Sequence, residues 1–536
     1  MDEIQRQLHR QLQTGERLAI GWGVSGYVEY QLRFSPYPFQ YLVDGGGQLA
    51  GTELHGVPVI SAQQLAALDP TRYVVVVLAE WARFGQEICL QAQALGFTVI
   101  PPSVASELAD EFPKRQLDIL FNQLAADNPP SVRNEHVAVL YIQNLVKGGA
   151  ERQIVLLAQG LTELGYQVHL VCQSPDHPAT LGWQQQLQEL NVIRHLFEHP
   201  KVIWMDQPPS ENELTTLQRL SPYVRVRGLH NILCMHRILK KVEPDLFVSY
   251  LDDCNLSSAV AGIWSGQHST LLSCRNLQPD TDGYARLNDF YITPVSALRQ
   301  WYSIFCRSTR LKIYHNSIEG KHSYESWLGF KTNQIVIENA TQLSAVEIKR
   351  IKSFYKIPNN TKIIVAVMRL SSEKNPIGFV KLMSELSKSL DNVVGFLIGD
   401  GPLMAEVISQ RTKLNLENSL IVTGFVENVN SFLAEADLCV VPSFQEGSSN
   451  IVLEALTAGC PTVAYSVGGI KSLMSGEITE YLVPPKRADL LYKKCLFVLS
   501  SDSEKNKFIK YSKKIKEKYN LSALANKTIN LSKTEA

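Results

Sequence analysis

Two glutamates eight residues apart, Glu446 and Glu454, could both accept hydrogen bonds from the hydroxyl groups of a sugar or a ribose. Between them lies a small polar loop, Gly-Ser-Ser-Asn, at residues 447–450. The apolar run at 437–442 is typical of a buried parallel strand, and residues 451–458 predict a helix. Strand ends of open α/β sheets bind ligands, and free amides at a helix amino terminus hold anions. The pattern therefore predicts a site for a ligand that carries hydroxyls and phosphate.

Cationic side chains follow another predicted strand, which runs from Ile363 to Met368. Arg369 comes directly after it, and Lys374 lies five residues further on. A guanidinium fork and an ammonium group can neutralise the diphosphate that is left behind when a sugar leaves a nucleoside diphosphate. Either residue alone is better explained as a solvated surface group. Their position ahead of Glu446 favours a binding site.

A glycine pair, Gly148–Gly149, follows a predicted strand at Val137 to Ile142 and begins a predicted helix that ends near Leu164. Because glycine has no Cβ, the backbone amides of such a loop can approach a phosphate or an acceptor closely. The alternative explanation is a tight turn before a helix, which every Rossmann-type unit contains.

Together these elements resemble the retaining glycosyltransferases of family 4, which have the GT-B fold and an E-x7-E motif. Residues 148–152 match the Gly-Gly-Ala-Glu-Arg loop of that family. Arg369 and Lys374 match its Gly-Arg-Leu-x-x-x-Lys-Gly element, although Met368 and Asn375 replace the two glycines. Three further turns match in the same order: Gly399–Pro402, Gly424–Phe425 and Gly468–Gly469.

The resemblance implies a retaining hexosyltransferase that uses a nucleotide-sugar and needs neither a metal nor another cofactor. It implies three catalytic residues, of which Arg369 and Lys374 bind the donor diphosphate and Glu446 faces the transferred sugar. Glu454 would anchor the ribose. The rest of the implied donor site comes from the two loops: Gly148, Gly149, Gly447, Ser448, Ser449 and Asn450. The leaving phosphate would act as base for the acceptor hydroxyl on the same face of the sugar.

One departure from the family concerns a histidine that many members place over the reacting sugar, near the end of a strand. This chain has Ser249-Tyr-Leu-Asp252 there, followed by Asp253. Three histidines elsewhere are better explained as core or surface residues: His230, His236 and His315. The Asp280-Thr-Asp282 sequence spells the metal motif of another glycosyltransferase fold, but it lies in a polar loop. We expect these residues either to be an ordinary part of the loop or to face the acceptor.

The first hundred residues carry a separate α/β pattern with a complete Gly-x-Gly-x-x-Gly spacing at Gly21, Gly23 and Gly26. Asp44 follows the next predicted strand, close to where a dinucleotide site needs an acidic residue. The region resembles the small Rossmann-like domain that precedes some sugar O-acyltransferases. It is either a second nucleotide site or a Rossmann fold retained for packing or assembly, and the second interpretation is favoured.

The predicted fold class is α/β, with the two Rossmann-like lobes of GT-B and a third, small Rossmann-like domain. With 536 residues the chain is too long for one core. We expect an accessory domain at 1–103, a helix and linker at 104–136, an acceptor lobe at 137–332 and a donor lobe at 333–503. Residues 504–536 are predicted to form a basic helix that crosses back to the acceptor lobe.

The composition limits which partners and which cellular location we expect for the chain. The formal net charge is zero, so charge gives no reason to expect a nucleic-acid partner. Nine scattered cysteines are typical of reduced thiols, and the polar first residues lack the apolar run of a signal peptide. We expect a cytoplasmic protein, and the lysine-rich tail leaves peripheral contact with an anionic inner membrane face open. The sequence does not indicate an oligomeric state.

The predicted function is transfer of a sugar from a nucleotide-sugar to a glycan or lipid-linked acceptor in bacterial surface polysaccharide synthesis, with a UDP-sugar favoured as donor and GDP-mannose as the other candidate. A non-catalytic partner subunit that binds a nucleotide-sugar is the main alternative. The missing histidine favours that alternative, while the intact Arg369, Lys374, Glu446 and Glu454 argue against it. In a third interpretation the first domain is a dinucleotide-dependent enzyme.

Overall fold

Three α/β units follow one another along the chain in the computed structural model, each built on its own sheet. The structure describes residues 3–23, 32–33, 35, 38–78, 82–100, 114–131, 133–145, 148–172, 186–196, 208–279, 295–342, 350–426 and 428–534. Long apolar strands alternate with helices in every unit, which is the pattern of doubly wound parallel sheets.

The first unit has a six-stranded sheet in the order β3-β4-β2-β1-β5-β6, parallel except for the β3–β4 pair. Its strands are buried from both sides, since separate apolar clusters cover the two faces. The elements are α1 (Glu3–Thr14), β1 (Leu18–Trp22), β2 (Phe39–Asp44), β3 (Glu53–Leu54), β4 (Val57–Ser61), α2 (Ala62–Leu65), β5 (Tyr73–Val77), α3 (Ala82–Ala94) and β6 (Thr98–Ile100).

The middle unit has a seven-stranded parallel sheet in the order β13-β12-β11-β10-β7-β8-β9. Its elements are α4 (Lys114–Asp127), β7 (Asn134–Ile142), α5 (Gly149–Glu163), β8 (Gln167–Cys172), β9 (Ile193–Leu196), α6 (Glu211–Leu220), α7 (Val226–Val242), β10 (Pro244–Tyr250), α8 (Asp252–Trp264), β11 (Thr270–Cys274), α9 (Val295–Phe305), β12 (Leu311–His315), α10 (Ile318–Leu328) and β13 (Ile335–Val336). Successive residues of β7 enter opposite core clusters, so helices cover both faces of this sheet.

The last unit has a six-stranded parallel sheet in the order β16-β15-β14-β17-β18-β19. Its elements are α11 (Ile351–Phe354), β14 (Lys362–Val367), α12 (Pro376–Ser389), β15 (Val393–Ile398), α13 (Met404–Lys413), β16 (Leu420–Gly424), α14 (Val429–Glu435), β17 (Leu438–Val441), α15 (Asn450–Ala458), β18 (Thr462–Tyr465), α16 (Ile470–Leu473), β19 (Leu482–Val483), α17 (Ala488–Leu499), α18 (Asp502–Lys518) and α19 (Leu521–Lys533). Short 3₁₀ turns at Ser372–Lys374 and Gly476–Tyr481 connect these elements.

The helix between the first two units is a packed layer of the middle unit. Leu117, Phe121 and Leu124 of α4 are buried in the same core cluster as α9, and the Phe121 ring contacts the rings of Trp301 and Phe305. The Arg310 guanidinium donates to the carbonyls at the end of α4, with Nη1 2.9 Å from the carbonyl oxygen of Asn128. The linker predicted at 104–136 therefore contains a helix that belongs to the middle fold, and residues 104–113 lie outside the described part.

The last strands of the middle unit differ from the sequence prediction. Strands β12 and β13 were not predicted, and β13 pairs with β12 although it lies beyond the expected lobe boundary at residue 332. The apolar pattern of the sequence predicts a strand from Tyr291 to Val295, but Val295 begins α9. Residues 291–294 of that predicted strand lie outside the described residues.

The end of the chain spans both larger units. Helix α18 packs on α15 of the last unit, and α19 packs on α5 of the middle unit. Gly160 permits the second contact, because a Cβ there would lie 2.8 Å from the carbonyl oxygen of Leu521. None of the described helices is long and apolar enough to span a bilayer.

We predict that Phe121→Ala lowers the free energy of unfolding of the middle unit by about 3–5 kcal/mol, because it leaves a cavity under α4. Ile119→Ala is the matched control, since Ile119 lies on the same helix with 47% of its surface exposed, and should change stability by about 0.5 kcal/mol or less. Chemical denaturation followed by tryptophan fluorescence would compare them. If both substitutions lowered the free energy of unfolding by the same small amount, α4 would be a linker and not a packed layer of the middle unit.

Candidate active site

The middle and last units meet at the carboxyl ends of their strands. The loop after β17 contacts the loop after β11, since a Cβ on Gly447 would lie 2.9 Å from the carbonyl oxygen of Arg275. Gly469 is equally close to Ser317, which begins α10. The Ser472 hydroxyl donates to the Glu319 carboxylate across the same boundary, at 3.3 Å. The sequence-predicted glutamate loop therefore lies in the cleft between the two units.

Glu446 lies in the loop between β17 and α15, and only 9% of its surface is exposed. Its Oε1 forms an ion pair with Lys374 Nζ at 2.8 Å. Gly468 has a left-handed φ of +46°, and any Cβ there would collide with the carbonyl oxygen of Glu446. The turn that matches the family at this point thus positions the backbone of the glutamate loop.

Lys374 ends a 3₁₀ turn after β14, and Asn375 then begins α12. Asn375 has a left-handed φ of +57°, accepts from the Gly378 amide at 3.1 Å and donates to the Pro442 carbonyl at 3.2 Å. Asparagine tolerates this backbone region better than most residues, which explains how it replaces the family's glycine. Arg369 is exposed at the end of β14. Gly399, next to this strand end, allows the Gly-Asp-Gly-Pro turn to pack against the Met368 carbonyl.

Glu454 lies one turn into α15 and is 6% exposed. Its Oε1 is 2.7 Å from Arg152 Nη1, which comes from α5 of the middle unit. Burial raises the pKa of the Glu454 carboxyl, and the neighbouring Arg152 opposes that rise. Sequence reasoning placed Arg152 in a matching motif but gave it no role, because its partner belongs to the other unit.

Asn450 at the start of α15 binds both the middle unit and the connection between the units. Its Nδ2 donates to the carbonyl of Gly149 at 3.1 Å. Its Oδ1 accepts from Asn339 Nδ2 at 2.6 Å and from Gln153 Nε2 at 3.2 Å. Arg275, buried over the Tyr250 ring, donates to Asn339 at 2.5 Å. Two predicted donor residues, Gly149 and Asn450, are thus in direct contact.

The Gly-Gly loop begins α5, and a Cβ on Gly148 would collide with the Glu151 carboxylate. Glu151 is buried in the first turn of α5, and burial raises the pKa of its carboxyl to about 7. Gly148 therefore packs closely against the Glu151 side chain, in addition to any role in binding. Ser448 and Ser449 complete the predicted set: Ser449 is buried at the start of α15, and Ser448 lies beside Gly469.

The residues around the missing histidine are structural. Asp252 is buried and accepts hydrogen bonds from the hydroxyls of Tyr302 and Tyr324 at 2.5 and 2.7 Å, and burial raises the pKa of its carboxyl. Each of three histidines is largely buried, which lowers its pKa to about 4: His230, His236 and His315. They contact Cys234, Ser265 and Gln334 respectively, as expected of packed residues.

Other sequence-predicted residues lie apart from this cleft or outside the described part of the chain. In the first unit, the Asp44 carboxylate accepts from the amides of Gly46 and Leu49 at 3.0 and 2.8 Å, so it stabilises its own turn. A Cβ on Gly21 would lie 2.5 Å from the Leu78 side chain, which gives this glycine a packing role. Gly26 and the Asp280–Asp282 motif lie outside the described residues. Among the residues described, no three His, Cys, Asp or Glu side chains converge to form a metal site.

We predict that Glu151→Gln stabilises the protein, and more so at pH 8 than at pH 5. Between the ordinary pKa of 4.5 and the folded value of about 7, the native chain holds a proton that the unfolded chain has lost. Stability therefore falls as the pH rises through that window, and the variant avoids a cost on the order of 3 kcal/mol.

Glu163→Gln is the control for this prediction, because Glu163 is exposed at the other end of α5 and accepts only from Gln159 in the described contacts. Melting curves across the pH range would compare the two variants. A gain that does not depend on pH would contradict the assigned burial of the Glu151 carboxyl.

Comparison with known proteins shows which glycosyltransferases parts of this chain are similar to. Residues 347–515 match the family model for glycosyl transferases group 1. The chain is 23% identical over 269 residues to the UDP-Gal:alpha-D-GlcNAc-diphosphoundecaprenol alpha-1,3-galactosyltransferase of Escherichia coli, covering 48% of this chain and 67% of that protein. It is 34% identical over 137 residues to the putative teichuronic acid biosynthesis glycosyltransferase TuaC of Bacillus subtilis, covering 25% and 32%. The match to TuaC thus spans about a third of that relative.

Solved structures share the architecture at low identity. Anabaena Alr3699/HepE in complex with UDP and glucose aligns with a TM-score of 0.58 and 17% identity, over 74% of this chain and 99% of that one. A glycosyltransferase from Rickettsia africae aligns with a TM-score of 0.56 and 16% identity, over 75% and 98%. The fold is therefore GT-B, preceded by an additional α/β unit, and the match to the glycosyl transferases group 1 model lies in its last unit.

Proposed function

We propose that this protein is a retaining hexosyltransferase that transfers a sugar from a nucleotide-sugar to a glycan or lipid-linked acceptor. The observation that carries the proposal is the ion pair between the buried Glu446 and the half-buried Lys374, which lies in the cleft at the strand ends of the last unit. A carboxylate for sugar hydroxyls and an ammonium for a diphosphate are what such a donor requires. A UDP-sugar is favoured over GDP-mannose, because HepE structures hold UDP and UDP-glucose.

The leaving diphosphate would be neutralised by cations and helix amino termini. Lys374 and Arg369 supply charge from the end of β14, and the backbone amides at residues 148–149 and 447–450 supply dipoles from the starts of α5 and α15. No metal would then be needed to stabilise the charge that develops on the diphosphate. Closing the two units on the donor would exclude water, so that transfer is faster than hydrolysis.

Retention would follow from attack on the same face that the leaving group departs from, with the leaving phosphate as base. The described side chains near the missing histidine offer no ready replacement. Asp252 is held by two tyrosine hydroxyls, His230 and His315 are buried in the core, and the half-buried His236 stacks on Trp264. Glu446 would bind the hydroxyls of the transferred sugar and orient its reacting carbon.

The proposed setting is bacterial surface polysaccharide or glycolipid synthesis on the cytoplasmic side of the membrane. The names of the E. coli and B. subtilis relatives point to an undecaprenol-linked acceptor and to teichuronic acid, respectively. Lysines of α18 are exposed, and they would allow peripheral contact with anionic lipid. Some of them already pair with acidic residues of the fold, as Lys507 does with Glu480 and Lys514 with Glu477.

A non-catalytic nucleotide-sugar-binding subunit is a second candidate, favoured by one observation. The strand end where the resemblance implies a histidine has none, and the buried Asp252 there accepts hydrogen bonds from two tyrosine hydroxyls. Such a subunit would bind the donor as described and would show no turnover. Binding and transfer must therefore be measured separately.

We predict that one class of nucleotide raises the melting temperature of the full chain in EDTA, among UDP-, GDP-, ADP- and TDP-sugars. Binding to the native state at about a hundredfold excess over Kd stabilises it by about 2.7 kcal/mol. Arg369→Ala and Glu454→Ala should lose the shift, because they remove the proposed contacts with diphosphate and ribose. Arg487→Ala, in an exposed ion pair with Asp489, should keep it. No shift with any nucleotide in a folded chain would overturn the proposal.

We further predict that the product keeps the anomeric configuration of the donor, as seen by NMR of the transferred sugar. Glu446→Gln should lower turnover by about 100-fold while leaving nucleotide affinity nearly unchanged, because it acts on the sugar. Glu385→Gln, at an exposed helix position, is the control. An inverted product would refute retention, and nucleotide binding without turnover would favour the partner subunit.

A further inference from the structure

The ion pair between Arg152 and Glu454 joins the two units through the residue proposed to bind ribose. Arg152 lies in the first turn of α5, and Glu454 lies one turn into α15. The Arg152 side chain is 27% exposed, whereas that of Glu454 is 8% exposed. The cleft is thus open to solvent on the arginine side, and the carboxylate lies deeper.

Glu454 has one cationic neighbour among the described residues that face it. Arg152 approaches from α5, and the thiol of Cys439 approaches from β17. Helix α18, which packs on α15, directs Lys505 toward Cys460. Without Arg152, the carboxylate would be buried beside an apolar strand and a neutral thiol, which favours its protonated form.

Contacts on either side of Arg152 fix its position. The next residue, Gln153, donates to the carbonyl of Ala340 at 2.8 Å and accepts from the Ala340 amide at 2.9 Å. Gln153 and Gly149 both bind Asn450, so the first turn of α5 is held against the first turn of α15. The guanidinium therefore meets Glu454 through a defined backbone geometry, not by chance contact of two flexible surface chains.

A vicinal diol such as that of ribose donates two hydrogen bonds, which an ionised carboxylate can accept on both oxygens. A protonated carboxyl has lost part of this acceptor capacity, and it presents a donor instead. The closest contact of the ion pair joins Oε1 of Glu454 to Nη1 of Arg152 at 2.7 Å. The protonation state of Glu454 would therefore decide the affinity for the nucleotide.

We propose that Arg152 is a positioning residue that keeps Glu454 ionised and oriented for the ribose hydroxyls of the donor. This inference rests on the proposed function and deepens it, because it assigns the donor site a residue from the opposite unit. Donor binding and the approach of the two units would then be coupled, since the ribose contact is complete only when α5 meets α15.

The test uses the full chain with Arg152→Met and, as a second variant that keeps hydrogen-bond donors, Arg152→Gln. The probe is whichever of UDP, GDP, ADP and TDP binds the wild type most tightly, and Kd is measured by calorimetry from pH 6.5 to 8.5. Loss of a neighbouring cation raises a carboxyl pKa by about 1–3 units, so the ratio of variant Kd to wild-type Kd should rise about tenfold as the pH falls. Using the ratio cancels titration of the nucleotide phosphate.

Two controls distinguish the loss of the Arg152 charge from a general change in the structure. Arg487→Met removes an arginine from an exposed ion pair and should keep the ratio near one at every pH. In a Glu454→Gln background, Arg152→Met should add no pH dependence, because Glu454 no longer titrates and Glu151, whose pKa burial raises to about 7, is present in both chains being compared. A loss of affinity that is equal at all pH values, or no loss, would overturn the inference while the proposed function stands. No nucleotide binding by the wild type would overturn both.

Discussion

A carboxylate that is buried away from water must have a cationic or hydrogen-bonding partner, and the cleft of this protein contains two such carboxylates. Glu446 finds its partner, Lys374, within the same unit. Glu454 finds its partner, Arg152, only in the other unit. The ionised state of the site therefore depends on how the two larger units are held together. Much of the remaining architecture holds the two larger units in this arrangement.

The end of the chain is the clearest example. After α18 packs on the last unit, α19 returns to α5, the helix that carries Arg152. Gly160 allows that return at short range, and the Thr341 amide donates to the carbonyl of Tyr519 at 2.8 Å where the connections cross. Helix α5 is thus held from one side by α19 and from the other by Asn450. Its amino terminus, with the Gly-Gly loop, is fixed over the strand ends of the last unit.

The elements that can be predicted from the sequence are those that depend on a continuous local pattern of residues. Strands such as β15 and β17 are apolar runs ended by glycine or proline, and the sequence predicts them at Val393–Ile398 and Leu438–Val441, where the structure has them. Strand β13 is only two residues long and becomes a strand through pairing with β12, so no local pattern could reveal it. The Glu446 loop was found because its spacing is a motif. The Arg152–Glu454 contact joins two distant motifs, and periodicity carries no information about such a pairing.

The strand end at Ser249–Asp252 lacks the histidine that the resemblance implies, and the surroundings of Asp252 show that this departure is local. Two tyrosine hydroxyls donate to this carboxyl, and Asn255 of the same helix binds both Tyr302 and the carbonyl of Ser273. The group is therefore committed to the core and is poorly placed to exchange a proton with a substrate. The groups proposed to bind the donor lie on other elements, the ends of β14 and β17 and the start of α5, and none of them uses Asp252. Chemistry in which the leaving phosphate takes the proton needs only those groups, so the substitution at this strand end does not by itself remove the proposed activity.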